Sequence, residues 1–129
     1  MKVAVALIGL AGVAAAEPYK LDVPEQLSVP ASSTGTLPIT IGVDRDRTIS
    51  KDAGITIDLA PDAGLAIKRR RLSRADAVDP DEASPRFAIP VQTNAAGGFA
   101  IKVHVRFWVC GNRSCKPVDA RRTVVVTVQ

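Results

Sequence analysis

The sequence predicts an all-β domain, a sandwich of two sheets made from about seven to nine short strands. Three observations carry that expectation. Short β-branched runs alternate apolar and polar residues at a period of two, and no stretch sustains a 3.6-residue apolar period. Nine prolines and nine glycines punctuate the 129-residue chain. Regularly spaced short strands divided by turn residues are the pattern of a sandwich or barrel.

The first segment stands apart from that pattern. Met1 and Lys2 precede an uncharged run from Val3 to Val13, and Ala14-Ala15-Ala16 precedes Glu17. A positive start, an apolar stretch of about 7–15 residues and a small-residue cleavage site mark a secretory signal. The apolar stretch falls short of the ~20 residues that a membrane span needs. Residues 1–16 therefore read as a signal peptide. The mature part, 17–129, reads as a single periplasmic or secreted domain with no stable membrane insertion. The formal net charge is +4, one unit of it from Lys2, which does not imply a nucleic-acid partner.

The strands follow in order. Tyr19 to Val23 alternates weakly and opens the domain. Gly35 to Val43 places Leu37, Ile39, Ile41 and Val43 on one face, the mark of a half-buried strand. Asp44-Arg45-Asp46-Arg47 breaks it with a charged turn. Gly54 to Leu59 resumes with Ile55, Ile57 and Leu59, and Pro61-Asp62-Ala63-Gly64 is a turn signal before Leu65 and Ile67. Arg69 to Pro85 is charged and aperiodic, and it reads as one long loop. Phe87 to Val91 is extended again. Phe99 to Cys110 is the strongest strand: Phe99, Ile101, Val103, Val105, Phe107 and Val109 share one face, and Lys102, His104, Arg106, Trp108 and Cys110 the other. Thr123 to Val128 closes the domain and pairs antiparallel with Phe99–Val109.

The only two cysteines are Cys110 and Cys115. In an exported chain an even, close pair forms a disulfide. Zinc is disfavoured, because only His104 remains to join two thiols and structural zinc takes four such ligands. Directly opposed residues of a hairpin lie about 4.5–5.5 Å apart at Cα, within disulfide reach. Closing a loop of roughly six residues stabilises by about 2 kcal/mol, the low end of the usual range. The turn Gly111-Asn112-Arg113-Ser114 is small and polar, and Arg113 and Lys116 flank the pair. Accessible disulfides exchange more readily, and nearby positive charge stabilises a thiolate. On these residues a structural bond and an exchange-active bond both stand open.

The run Arg86 to Val91, then Val103-His-Val-Arg-Phe-Trp-Val-Cys110, Gly-Asn-Arg-Ser, Cys115-Lys-Pro117 and a final valine strand resembles the N-terminal periplasmic domain of the thiol:disulfide interchange protein DsbD. The resemblance covers residues 86–128 and implies an immunoglobulin-like sandwich. It implies that Cys110 and Cys115 are a redox pair that relays electrons between a membrane electron transporter and thioredoxin-like partners through mixed disulfides. It makes Cys115 the first choice for the sulfur that bonds to partners. Two departures stand out. Arg74 to Ala83, where the family carries a shielding aromatic, holds none, which leaves Phe87 or Trp108 to shield the pair or dock a partner. The cysteine spacing is also one residue shorter. With the transporter and thioredoxin-like domains absent, the electron source must be another chain.

The remaining polar residues are less specific. His104, the only histidine, lies about 20 Å from Cys110 at roughly 3.3 Å per residue, too far to serve as its base. Lys68-Arg69-Arg70-Arg71 with Arg74 reads as an anion patch or, more ordinarily, a solvated loop. Asp76, Asp79, Asp81 and Glu82 read as a solvated loop, a proton relay or a calcium site, although their spacing fits no EF-hand. No cofactor is expected, and no hydrolase motif is present. The alternative to redox exchange is a non-enzymatic binding module whose disulfide braces a hairpin.

Overall fold

The computed structural model describes residues 18–129; the expected signal peptide lies outside them. Ten strands carry the fold: β1 (Tyr19–Asp22), β2 (Gln26–Val29), β3 (Thr34–Val43), β4 (Thr48–Ile49), β5 (Thr56–Pro61), β6 (Leu65–Ala66), β7 (Arg71–Leu72), β8 (Arg86–Thr93), β9 (Gly97–Cys110) and β10 (Cys115–Val128). They form a four-stranded sheet ordered β1-β3-β8-β6 and a six-stranded sheet containing β2-β10-β9-β5-β7, with β4 also paired to β9. These orders reproduce the two sheets of an immunoglobulin-like sandwich, with β9 and β10 in the places of its last two strands.

Alternation builds the core. Leu37, Ile39 and Ile41 of β3 and Phe87, Ile89 and Val91 of β8 point inward from one sheet. Ile57 and Leu59 of β5, five alternate residues of β9 from Ile101 to Val109, and Val124, Val126 and Val128 of β10 meet them from the other. The one buried polar residue among the described residues, Thr93, is satisfied: its hydroxyl donates to the Pro30 carbonyl (2.8 Å) and accepts from the Ser33 N–H (3.1 Å).

Prolines sit where a missing N–H costs nothing. The Ile41 N–H donates to the Pro85 carbonyl, which sets the phase of the β3–β8 ladder and turns the nitrogens of Pro38 and Pro90 outward. On β10 the Val125 N–H donates to Glu25, away from β9, so alternation also turns the Pro117 nitrogen to the open edge.

Three expectations change. The closing strand is not Thr123–Val128 but the whole of Cys115–Val128, paired with β9 over its full length. Its polar first half reflects exposure: Lys116, Pro117 and Asp119 face solvent, while Val118 and Ala120 keep the inward phase. The Arg69–Pro85 segment is not a bare loop. It contains β7, paired to β5 through Ile57↔Leu72, and a 3₁₀ turn at Arg74–Asp76. Phe87 is neither a shield nor a docking surface. It is 2% exposed, because the buried phase of β8 falls on it.

Candidate functional site

The site is the tip of the β9–β10 hairpin. Cys110 ends β9, Cys115 begins β10, and they are direct cross-strand partners joined by a disulfide. Their Cα atoms lie 3.9 Å apart. The ladder phase set by Val125 makes this a non-hydrogen-bonded pair, the narrow kind that brings side chains together. The turn between them closes on itself, with the Gly111 N–H donating to the Ser114 carbonyl at 2.9 Å. Cys110 is half-buried, whereas Cys115, Asn112, Arg113, Ser114 and Lys116 are exposed.

Trp108 stands one rung below the disulfide on the same outer face, opposite Pro117, and is 41% exposed. The pair lines a shallow hollow of about 270 Å³ with Arg106, Asp119, Gly54 and Thr56. Arg106 is committed elsewhere: its guanidinium bonds Asp58 at 2.9 Å, and Arg71 holds the same carboxylate at 2.7 Å. Hydrogen bonding from Arg71 is the main cause that holds the Asp58 carboxyl below its ordinary value, with Arg106 adding to it. His104 bonds Asp119 at 2.6 Å on this face, three rungs from the cysteines.

Another loop meets the tip. β4 pairs with β9 through Thr48↔Cys110 and Ile49↔Val109, and the Ser50 N–H donates to the Trp108 carbonyl. One residue further in the same register, Arg47 lies against Gly111: a Cβ added at Gly111 would stand 2.5 Å from Arg47 Nη1. The long 73–85 segment reaches the same region. Arg74 Nη2 donates to the Ile49 carbonyl (3.3 Å) and Nη1 to the Pro80 carbonyl (3.0 Å), while its Nε is buried without a partner.

The basic run therefore does not act as one patch. Lys68 and Arg70 are exposed, Arg69 pairs with Asp76, Arg71 pairs with Asp58, and Arg74 clamps its own loop to β4. The acidic residues scatter likewise. A backbone hydrogen bond at Ser73, followed by Arg69, holds the Asp76 carboxyl below its ordinary value; Asp79 accepts from the Asp81 N–H, and Glu82 pairs with Arg86. The structure brings Trp108, Cys110 and Cys115 together and excludes Phe87. It adds Arg47 and Pro117. The sequence signal for Arg47 was fold-level: in this sandwich the β3-to-β5 and β9-to-β10 connections share an end.

No family model and no curated protein matches the sequence. Solved structures do. A part of the E. coli alpha-2-macroglobulin in its native conformation superposes with a TM-score of 0.57 at 14% identity, over 88% of this chain and 7% of that one. This likeness concerns the fold. Murine CRIg aligns at a TM-score of 0.45 and 8% identity over 86% of this chain and 98% of that one. The E. coli fimbrial subunit AggA aligns at 0.42 and 10% over 87% and 95%. Among the described residues no helix is long and apolar enough to cross a membrane.

Proposed function

We propose that this protein is a thiol:disulfide interchange domain of the periplasm or another exported compartment, relaying electrons through Cys110 and Cys115. The observation that carries the reading is the disulfide's position at an exposed hairpin tip, with one sulfur residue open to solvent and the other half-covered. A bond placed there is reachable by another protein. The hairpin below it is a continuous ladder, which leaves less for a brace to do.

The exchange runs through Cys115, the exposed partner. A partner thiolate attacks Cys115 Sγ, the disulfide breaks, and its electron pair leaves on Cys110 Sγ as a thiolate. The partner's second thiol, deprotonated, then attacks its own sulfur in the mixed disulfide and releases Cys115 as a thiolate. The pair ends reduced and the partner dithiol oxidised; the reverse sequence hands the electrons on. Trp108 and Pro117, beside the pair, offer an apolar contact for a docking protein. The partner class is thioredoxin-like proteins, with a membrane electron transporter as the source.

The test is the reduction potential of the pair in the purified domain, equilibrated against thiol buffers. A value above roughly −250 mV belongs to exchange-active pairs and supports the reading. A value below about −300 mV belongs to structural bonds and replaces the reading with that of a binding module.

A further inference from the structure

β8 is fully paired along one edge only. On the β3 side it is matched from Arg86 to Gln92. On the other side β6 meets only Gln92 and Thr93. The phase of this second edge is fixed at both ends: the Asn94 N–H donates to the Gly64 carbonyl (3.1 Å), and the Arg86 carbonyl accepts from the Val78 N–H (2.8 Å). Even-numbered residues of β8 therefore turn their main-chain groups away from β3. Between the two anchored ends lie Ala88 and Pro90, and the Ala88 N–H and C=O and the Pro90 C=O have no partner among the described residues. Pro90 gives the reason for the gap. Carried two residues further, β6 would set Lys68 opposite Pro90, which has no N–H to return. The chain turns away instead, and the Arg70 carbonyl accepts from the Leu59 N–H in the other sheet.

We infer that this free edge of β8 is a docking site for a short extended peptide, added as a strand between β6 and Val78, with apolar side chains at two alternate positions and an acidic residue at its Lys68 end. The inference does not rest on the exchange reading. A hollow of about 640 Å³ occupies the vacated strip, within the range of ligand sites. Phe87 and Ile89 line it from the inward face of β8, and Ala88 and Pro90 from the outward face. It therefore runs past the edge of the strand and not across either face. Buried Ile67 and exposed Lys68 line it from the departing chain. Each feature selects one property of the occupant. Unpaired N–H and C=O groups along an edge select another extended main chain. The inward apolar wall selects apolar residues two apart. Lys68 has no carboxylate within ion-pair distance among the described residues, whereas Arg69 beside it is held by Asp76, so the unmatched charge on the rim is positive.

The probe is the acetylated and amidated tetrapeptide Glu-Val-Thr-Val, titrated into isotope-labelled protein and followed by amide chemical shifts. Running antiparallel to β8, as β6 does, it sets its Thr opposite Ala88, its Glu opposite Pro90 and both Val side chains inward. Saturable shifts centred on Ala88 are expected. The same peptide N-methylated at Thr lacks the donor to the Ala88 carbonyl and is expected not to bind. Ala88→Pro, which removes only an outward N–H, is expected to abolish binding of the unmodified peptide. K68Q, or Lys in place of the peptide's Glu, should each weaken binding about threefold, as loss of one exposed ion pair does. K68E should restore binding of the Lys peptide. Absence of a saturable shift at Ala88 overturns the inference, and so does equal binding by the N-methylated peptide or by the Glu and Lys peptides. Decanoate binding at the same amides as tightly as the peptide would assign the hollow to an apolar acid and overturn strand addition. If Ala88→Pro disturbs the fold by circular dichroism, the N-methylated peptide decides alone.

Discussion

Two cysteines with the same partner differ in what surrounds them, and the difference is open to measurement. Cys115 is exposed and Cys110 is half-buried. Under the exchange reading, Cys110→Ala should accumulate a long-lived mixed disulfide at Cys115, visible by non-reducing electrophoresis with a thioredoxin-like partner. Cys115→Ala should accumulate far less. Equal trapping by both variants would remove the asymmetry. Trp108→Ala should slow exchange with a protein partner several-fold and leave exchange with glutathione unchanged, because only a protein is large enough to use the hollow beside it. Asp58 belongs at this scale too. Arg71 and Arg106 hold its folded carboxyl below the ordinary 3.8, so the unfolded chain binds the proton more tightly. Its contribution to stability is present above about pH 4 and is lost as pH falls through the folded value. Urea unfolding should show stability falling from pH 5 toward pH 2, and Asp58→Asn should flatten that slope. At the residue scale the cysteine pair and Trp108 were legible, since alternation along Phe99–Cys110 assigns each to the outer face. Phe87 was not: its closeness in sequence to the motif said nothing of the phase of β8, which buries it.

At the scale of elements, period two read well wherever one face is buried and the other wet. The long strands β3, β5, β8 and β9 lie where alternation put them. The elements that sequence missed are those whose pattern comes from somewhere other than burial. β2, β4 and β7 are short and are called into being by a neighbour's free edge, a signal that exists only once the sheet is assembled. The first half of β10 was obscured by Pro117, yet proline is compatible with an edge strand when its nitrogen faces out. Beyond β2, which covers Val125 to Val128, that edge has no strand beside it among the described residues. Pro117 withholds one donor from it, and Arg121 and Arg122 add charge, both recognised defences against edge-to-edge pairing. Pro117→Val should restore the donor and raise concentration-dependent self-association, measured by sedimentation velocity. An unchanged monomer fraction would show that the charges alone protect the edge.

For the whole molecule, the sandwich and its single disulfide are separable. The core from Val29 to Val128 is continuous, and the β9–β10 ladder runs on from Cys110↔Cys115 to Gly97↔Val128 through main-chain pairs that do not involve the sulfurs. Chain entropy assigns a short closed loop about 2 kcal/mol, small beside the usual 5–15 kcal/mol of a domain. The reduced protein should therefore remain cooperatively folded, with an unchanged far-ultraviolet circular dichroism spectrum and a stability lower by about 2 kcal/mol in urea. A reduced chain that unfolds at room temperature would make the bond a structural necessity and exclude its use as a reversible carrier. Whole-molecule arrangement was also the least legible in sequence. Strand count and class followed from periodicity, but the meeting of Arg47 with Gly111 depends on two connections more than sixty residues apart sharing one end.

The hairpin is also a ruler. β9 and β10 run unbroken for fourteen residues each, from Cys110↔Cys115 at one end to Gly97↔Val128 at the other. At about 3.4 Å per residue that separates the two ends by roughly 45 Å. Gln129, which follows Val128 and accepts from the Ala31 N–H, lies at the far end. A linker or immobilising tag joined at Gln129 thus presents the sulfurs outward at the full length of the domain, and a surface coated in this way displays every molecule in the one orientation that leaves its disulfide open to approach.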